Sequence, residues 1–162
     1  MRFVKVYKAP PAIKFTSTAG FIITALMMTL MPSFSCIFDS AGIAGGYKMG
    51  VSGALTDMGT TGSYVIWIIM FICFFAGLVF TWNDKPKVIP IIASCFLTFA
   101  TIFSSTILKL SGKSGYYGIV KEYSMEKCFY IVLAVNWILT IITIVMIIKT
   151  KKNVELKFDS DE

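Results

Sequence analysis

Two stretches of this sequence have the residue types that hold phosphate. SGKSG spans residues 111–115, and Ser40–Gly62 contains seven of the chain's twelve glycines. A P-loop needs G-x-x-x-x-G-K-[ST], because backbone amides wrap the phosphates and the lysine reaches them. Five places before Gly112 stands Ile107, and five places after Gly42 stands Tyr47, so neither stretch fits. The dinucleotide pattern G-x-G-x-x-G is also missing, and no strand is expected before the glycines. The chain has no histidine, which removes the usual proton shuttle and any Ser-His or Cys-His nucleophile pair. Its four cysteines, Cys36, Cys73, Cys95 and Cys128, have no C-x-x-C spacing that would suggest zinc. No catalytic group, cofactor or metal site is expected.

The remaining polar residues with regular spacing lie inside apolar sequence. Ser94, Thr98, Thr101 and Ser105 recur at four, three and four residues, one face of a helix. Asn136, Thr140 and Thr143 form a second such face. These seven residues are candidates for helix interfaces or, in an oligomer, for a pore lining. Asn136 is the sharpest of them, because a mid-membrane amide needs a partner.

The elements that must position them follow from charge. Charged residues make up only 15% of the chain, against 56% hydrophobic; soluble domains carry about 25% charge. Four runs contain no Lys, Arg, Asp or Glu: Ala19–Phe38, Tyr64–Trp82, Val88–Leu108 and Cys128–Ile148, each of 19 to 21 residues. At about 1.5 Å per residue, each spans roughly 30 Å of hydrocarbon. The fold class expected is an all-α integral membrane protein with four transmembrane helices and a single membrane domain over 1–162. Residues 1–18 form a basic arm, and 39–63 a glycine-rich outer loop. Residues 83–87 form an inner turn, 109–127 a second outer loop, and 149–162 a tail. Helix 1 reads as a true span, since its apolar run is longer than that of a signal peptide. Pro32 is expected to kink it.

Ten Lys and Arg residues fall on the side of the two termini and the inner turn, and five on the side of the two long loops. This asymmetry places both termini in the cytoplasm. The formal charge of +6 flanks the apolar runs instead of lining one face, so the partner expected is an anionic bilayer and not nucleic acid. Composition fits a bacterial cytoplasmic membrane. The missing intramembrane charges argue against proton-coupled pumping and acid–base catalysis. Asp57 is expected to be an ordinary solvated carboxylate.

In this topology Cys36 and Cys128 both lie near the outer face, where a disulfide between them is conceivable. Tyr47, Tyr116, Tyr117 and Tyr123 are the loop residues expected to contact a protein partner, since tyrosine favours interfaces. Trp137 is expected to pack between helices. The layout of four helices, termini inside and a longer first outer loop resembles tetraspan proteins of the claudin type. The Trp and paired-Cys signature of that type's first loop is absent from Ser40–Gly62, so no functional residue carries over. The function expected is association, as accessory subunit or self-assembling scaffold, with an oligomeric channel as the alternative.

Overall fold

Pro10 and Pro11 open the first helix, where a missing amide proton costs nothing. The computed structural model describes residues 3–7, 9–40, 43–83, 88–110, 120–152 and 154–158. Its elements in chain order are β1 (Phe3–Tyr7), α1 (Pro11–Leu30), β2 (Phe34–Ser40), β3 (Ile43–Met49), α2 (Val51–Met58), α3 (Thr61–Trp82), α4 (Val88–Leu110), β4 (Val120–Met125), α5 (Cys128–Lys152) and β5 (Val154–Phe158). Helices α1, α3, α4 and α5 are each long and apolar enough to cross a membrane. The chain is thus a mostly helical, small tetraspan membrane protein.

The four long helices form a ring in chain order, with α1 against α3 and α5, and α4 against α3 and α5. Phe21 of α1 is fully buried and packs against Gly77 of α3, where any Cβ would strike its ring. On the same pair of helices Trp82 Nε1 donates to Thr18 Oγ1 at 2.8 Å, and Ser17 and Thr81 bring their hydroxyls to 3.3 Å.

The first span differs from the sequence expectation. It covers Pro11–Leu30 and not Ala19–Phe38. Met31 is already extended (φ −77°, ψ 125°), because the ring of Pro32 disfavours helical backbone in the residue before it. Pro32 therefore ends the helix instead of kinking it. The eight residues lost at that end are replaced at the other by Pro11–Thr18, including Lys14, whose long stem tolerates a position near the helix end.

The all-α expectation is also corrected. Phe34–Ser40 reads FSCIFDS, and its alternate residues Phe34 and Cys36 are buried while Ile37 and Asp39 are exposed. That period of two belongs to a strand. β2 is the centre of a three-stranded antiparallel sheet in the order β3-β2-β4, drawing one neighbour from each long loop. Ladder bonds from Ser33 N to Met49 O and from Glu126 N to Ser33 O, both 2.9 Å, carry the pairing to the end of α1. On the opposite side of the bundle, β1 pairs antiparallel with β5, so both ends of the described chain share one side.

Between β3 and α3, the glycine-rich loop folds into helix α2. Its Val51, Ala54 and Leu55 are fully buried, a spacing of three and four that makes one apolar face. That face plugs the sheet-side end of the bundle against α1, α3 and α4. Gly59 closes α2 in the left-handed conformation (φ 66°), the cap that glycine adopts without a Cβ penalty. Gly46 lies in β3 and Gly50 at the N-cap of α2.

Candidate functional site

Two polar clusters stand out, one inside the bundle and one under the sheet. In the bundle, α4 and α5 turn their hydroxyl faces toward each other. Ser94, Thr101, Asn136 and Thr143 are fully buried, and Thr98 and Thr140 nearly so. Asn136 Nδ2 donates to Thr101 Oγ1 at 2.7 Å, and Thr101 Oγ1 in turn donates to Leu97 O at 2.8 Å. One turn or more away, Ser94 and Thr143 bring their hydroxyl oxygens to 3.0 Å, while Thr143 Oγ1 is 2.8 Å from Thr140 O. Each of the two hydroxyls also reaches a carbonyl of its own helix, Ile91 O for Ser94 and Thr140 O for Thr143, so either can supply the one proton their contact needs. Thr98 and Thr140 donate to the carbonyls four residues before them.

Ser105 does not belong to this seam. It lies toward the surface and donates to Ile102 O, while Ser104 takes the buried place. The buried arc of α4 also takes in Ala93, Leu97, Ala100 and Leu108, which centres it on the side of Ser104 and leaves Ser105 at its edge. Trp137, expected between helices, is 54% exposed on the lipid-facing side of α5.

Asn136 Oδ1 has no hydrogen-bond partner among the described residues. Breaking only one side of the Asn136–Thr101 bond should therefore cost more than replacing both residues. Thr101→Val leaves the whole amide unpaired and is expected to destabilise by about 1 kcal/mol, within the range for buried polar losses and near the bilayer average of about 0.6 kcal/mol. The double variant Thr101→Val with Asn136→Leu is expected to melt above that single variant. Thermal unfolding in detergent reads both, and a double variant that melts lower contradicts the assignment.

The second cluster centres on Asp57, near the C-terminal end of α2. Across the sheet Cys36 is the register partner of both Tyr47 and Tyr123, so one row carries a thiol between two phenols. Tyr123 Oη donates to Asp57 Oδ2 at 2.7 Å, and Lys121 Nζ reaches Asp57 Oδ1 at 2.9 Å. The Tyr47 hydroxyl also interacts with Asp57 and with the Cys36 thiol. Burial pushes the Asp57 carboxyl up. Hydrogen bonds from Lys121 and Tyr123, with the nearby Tyr47 hydroxyl and the Lys121 charge, outweigh burial and hold it below its ordinary value. Burial and the facing carboxylate push both phenols upward, and burial does the same to the Cys36 thiol. The carboxylate, the two phenols and the thiol are thus held in their usual neutral-pH states. The arrangement braces the sheet on α2 and leaves no activated nucleophile.

These positions revise several sequence expectations. Asp57 is not a solvated carboxylate. Tyr123 is buried and spent on Asp57, so it is not a free partner contact, whereas Tyr47 is 39% exposed. Tyr116 and Tyr117 lie outside the described residues. Cys36 and Cys128 are free thiols and form no disulfide; Cys36 is buried in β2, while Cys128 begins α5. Sequence reasoning missed the Asp57–Lys121–Tyr123 tie, although VKEYSM places Lys121, Tyr123 and Met125 on one face of a strand.

No protein-family model, no curated protein and no solved structure matches this chain.

Proposed function

We propose that this tetraspan protein acts by association, as an accessory subunit of a membrane complex or as a self-assembling scaffold, without catalysis. The observation that carries this reading is strand β3. It is seven residues long and pairs only with β2 among the described residues, so its other edge presents open backbone groups. Along it Ile43 is 71% exposed. Exposed edges of this kind add a strand from another chain unless charge or proline blocks them. Lys48 is the single charge on β3, and it is engaged by Glu126 at 3.1 Å.

The lysine asymmetry supports a sheet facing outward and termini in the cytoplasm, with anionic headgroups rather than nucleic acid around the basic residues. The channel reading is weakened by the α4–α5 seam, whose hydroxyls are committed to bonds within one chain.

Native mass spectrometry from a mild detergent tests the proposal. A homo-oligomer or a stoichiometric complex with a second protein is expected. Ile43→Lys with Ala44→Lys, both at exposed positions, should shift it to monomer with an unchanged melting temperature. A wild-type protein that is monomeric under all mild conditions, or an assembly indifferent to both lysines, overturns the reading.

A further inference from the structure

A cleft of about 130 Å³ opens between α1, α3 and α4 beneath α2. Its lining includes Thr24, fully buried, whose Oγ1 has no hydrogen-bond partner among the described residues. A buried hydroxyl without a partner is unfavourable, so a ligand that meets it has an advantage over a plain hydrocarbon chain. The walls are Met28, Trp67, Met70, Phe71 and Phe74. Trp67 is fixed by its Nε1 donating to Ser52 Oγ of α2 at 2.9 Å, and it stacks on Phe71 with centroids 5.8 Å apart. Phe71 is 54% exposed on the bilayer-facing surface, so the mouth opens sideways to lipid.

We infer that this cleft binds the oxygen-bearing six-membered ring of a lipid-soluble quinone or phenol, with a ring oxygen hydrogen-bonded to Thr24 Oγ1 and the tail leaving past Phe71 into the bilayer. The size is comparable to the cavity of about 150 Å³ that holds one benzene ring, and the open mouth leaves room for substituents. The walls fit as well: flat aromatics offer stacking, and the two methionine sulfurs favour ring edges. A phospholipid keeps its polar atoms at the interface, about 9 Å along the helix from Thr24, and leaves that hydroxyl unmet.

The test uses the full chain in lipid nanodiscs with Trp82→Phe and Trp137→Phe, which leaves Trp67 as the one tryptophan of the chain's three. A decyl-substituted benzoquinone is titrated and Trp67 quenching recorded. Saturable quenching is expected, about 5- to 10-fold weaker in Thr24→Val and retained in Thr24→Ser, the loss of one hydrogen bond. Decylbenzene, which lacks the oxygens, should compete weakly. Quenching that rises linearly without saturation reports partition into lipid and overturns the inference. So does saturable quenching that Thr24→Val leaves unchanged, or equal competition by decylbenzene.

Discussion

Gly50→Ala is expected to lower the melting temperature by roughly 5–10 °C, corresponding to about 2–3 kcal/mol of overpacking. Gly50 caps α2 at φ −72° and ψ 174°, a backbone that alanine adopts freely. The penalty therefore comes from space alone. A Cβ at this position would meet Thr29 O and lie 2.7 Å from Met28 O. Both are backbone atoms at the end of α1 and cannot rotate away as a side chain would. Relief requires α2 to lift off the bundle, which drags Val51, Ala54 and Leu55 from their buried places and Ser52 from Trp67. Gly62→Ala is the control, since nothing lies within 4 Å of its Cβ, and alanine is the better helix former. Thermal unfolding followed by tryptophan fluorescence distinguishes the two. A Gly50→Ala midpoint within 2 °C of wild type shows that α2 is not clamped there.

The second large effect is expected at Asp57. Asp57→Ala removes the acceptor for both Lys121 and Tyr123 and leaves the buried Tyr123 hydroxyl without it. For a partly exposed, charge-assisted pair the expected loss is about 2 kcal/mol. That is roughly a 30-fold rise in amide hydrogen exchange along β2 and β4 if they open together. Exchange in α4 and α5 should stay unchanged. The same tie sets a pH limit. The folded carboxyl titrates below its ordinary value, so its stabilisation is complete above about pH 3.9 and is lost as pH falls through the lowered value. The raised phenols set the opposite edge: their stabilisation is complete below about pH 10 and is lost as pH rises through their elevated values. Strand protection that is already lost at pH 5 contradicts this account, as does equal acid sensitivity in Asp57→Ala.

The helical part of this architecture was legible because a bilayer imposes a simple length rule. Tyr64–Trp82, Val88–Leu108 and Cys128–Ile148 each lie within an observed helix. So was most of the inward polar seam, since three- and four-residue spacing marks a helical face, although it placed Ser105 where Ser104 is buried. The first span was misplaced because counting charges treats Phe34–Phe38 as membrane sequence, and its period of two was hidden inside a longer apolar run. Lys14 worked in the same direction by making the true start of α1 look like a solvated arm. The Asp57 tie was harder still, as it joins residues 64 and 66 apart in sequence. Such a contact appears only once the strands are paired, because nothing in VSGALTDM alone says which lysine will reach its aspartate.

The central position of β2 has a consequence for the chain as it is made. One of its neighbours, β3, follows at once, but the Ser35–Ser124 bond across to β4 spans 89 residues and two intervening membrane helices. At about 5–20 residues per second, roughly 4–18 s pass between synthesis of the two strands. Throughout that interval the β2–β3 hairpin has both flanks open and Asp57 has neither Lys121 nor Tyr123. The half-built sheet is therefore the stage of biosynthesis most exposed to wrong pairing. A stall between α3 and β4 lengthens that exposure.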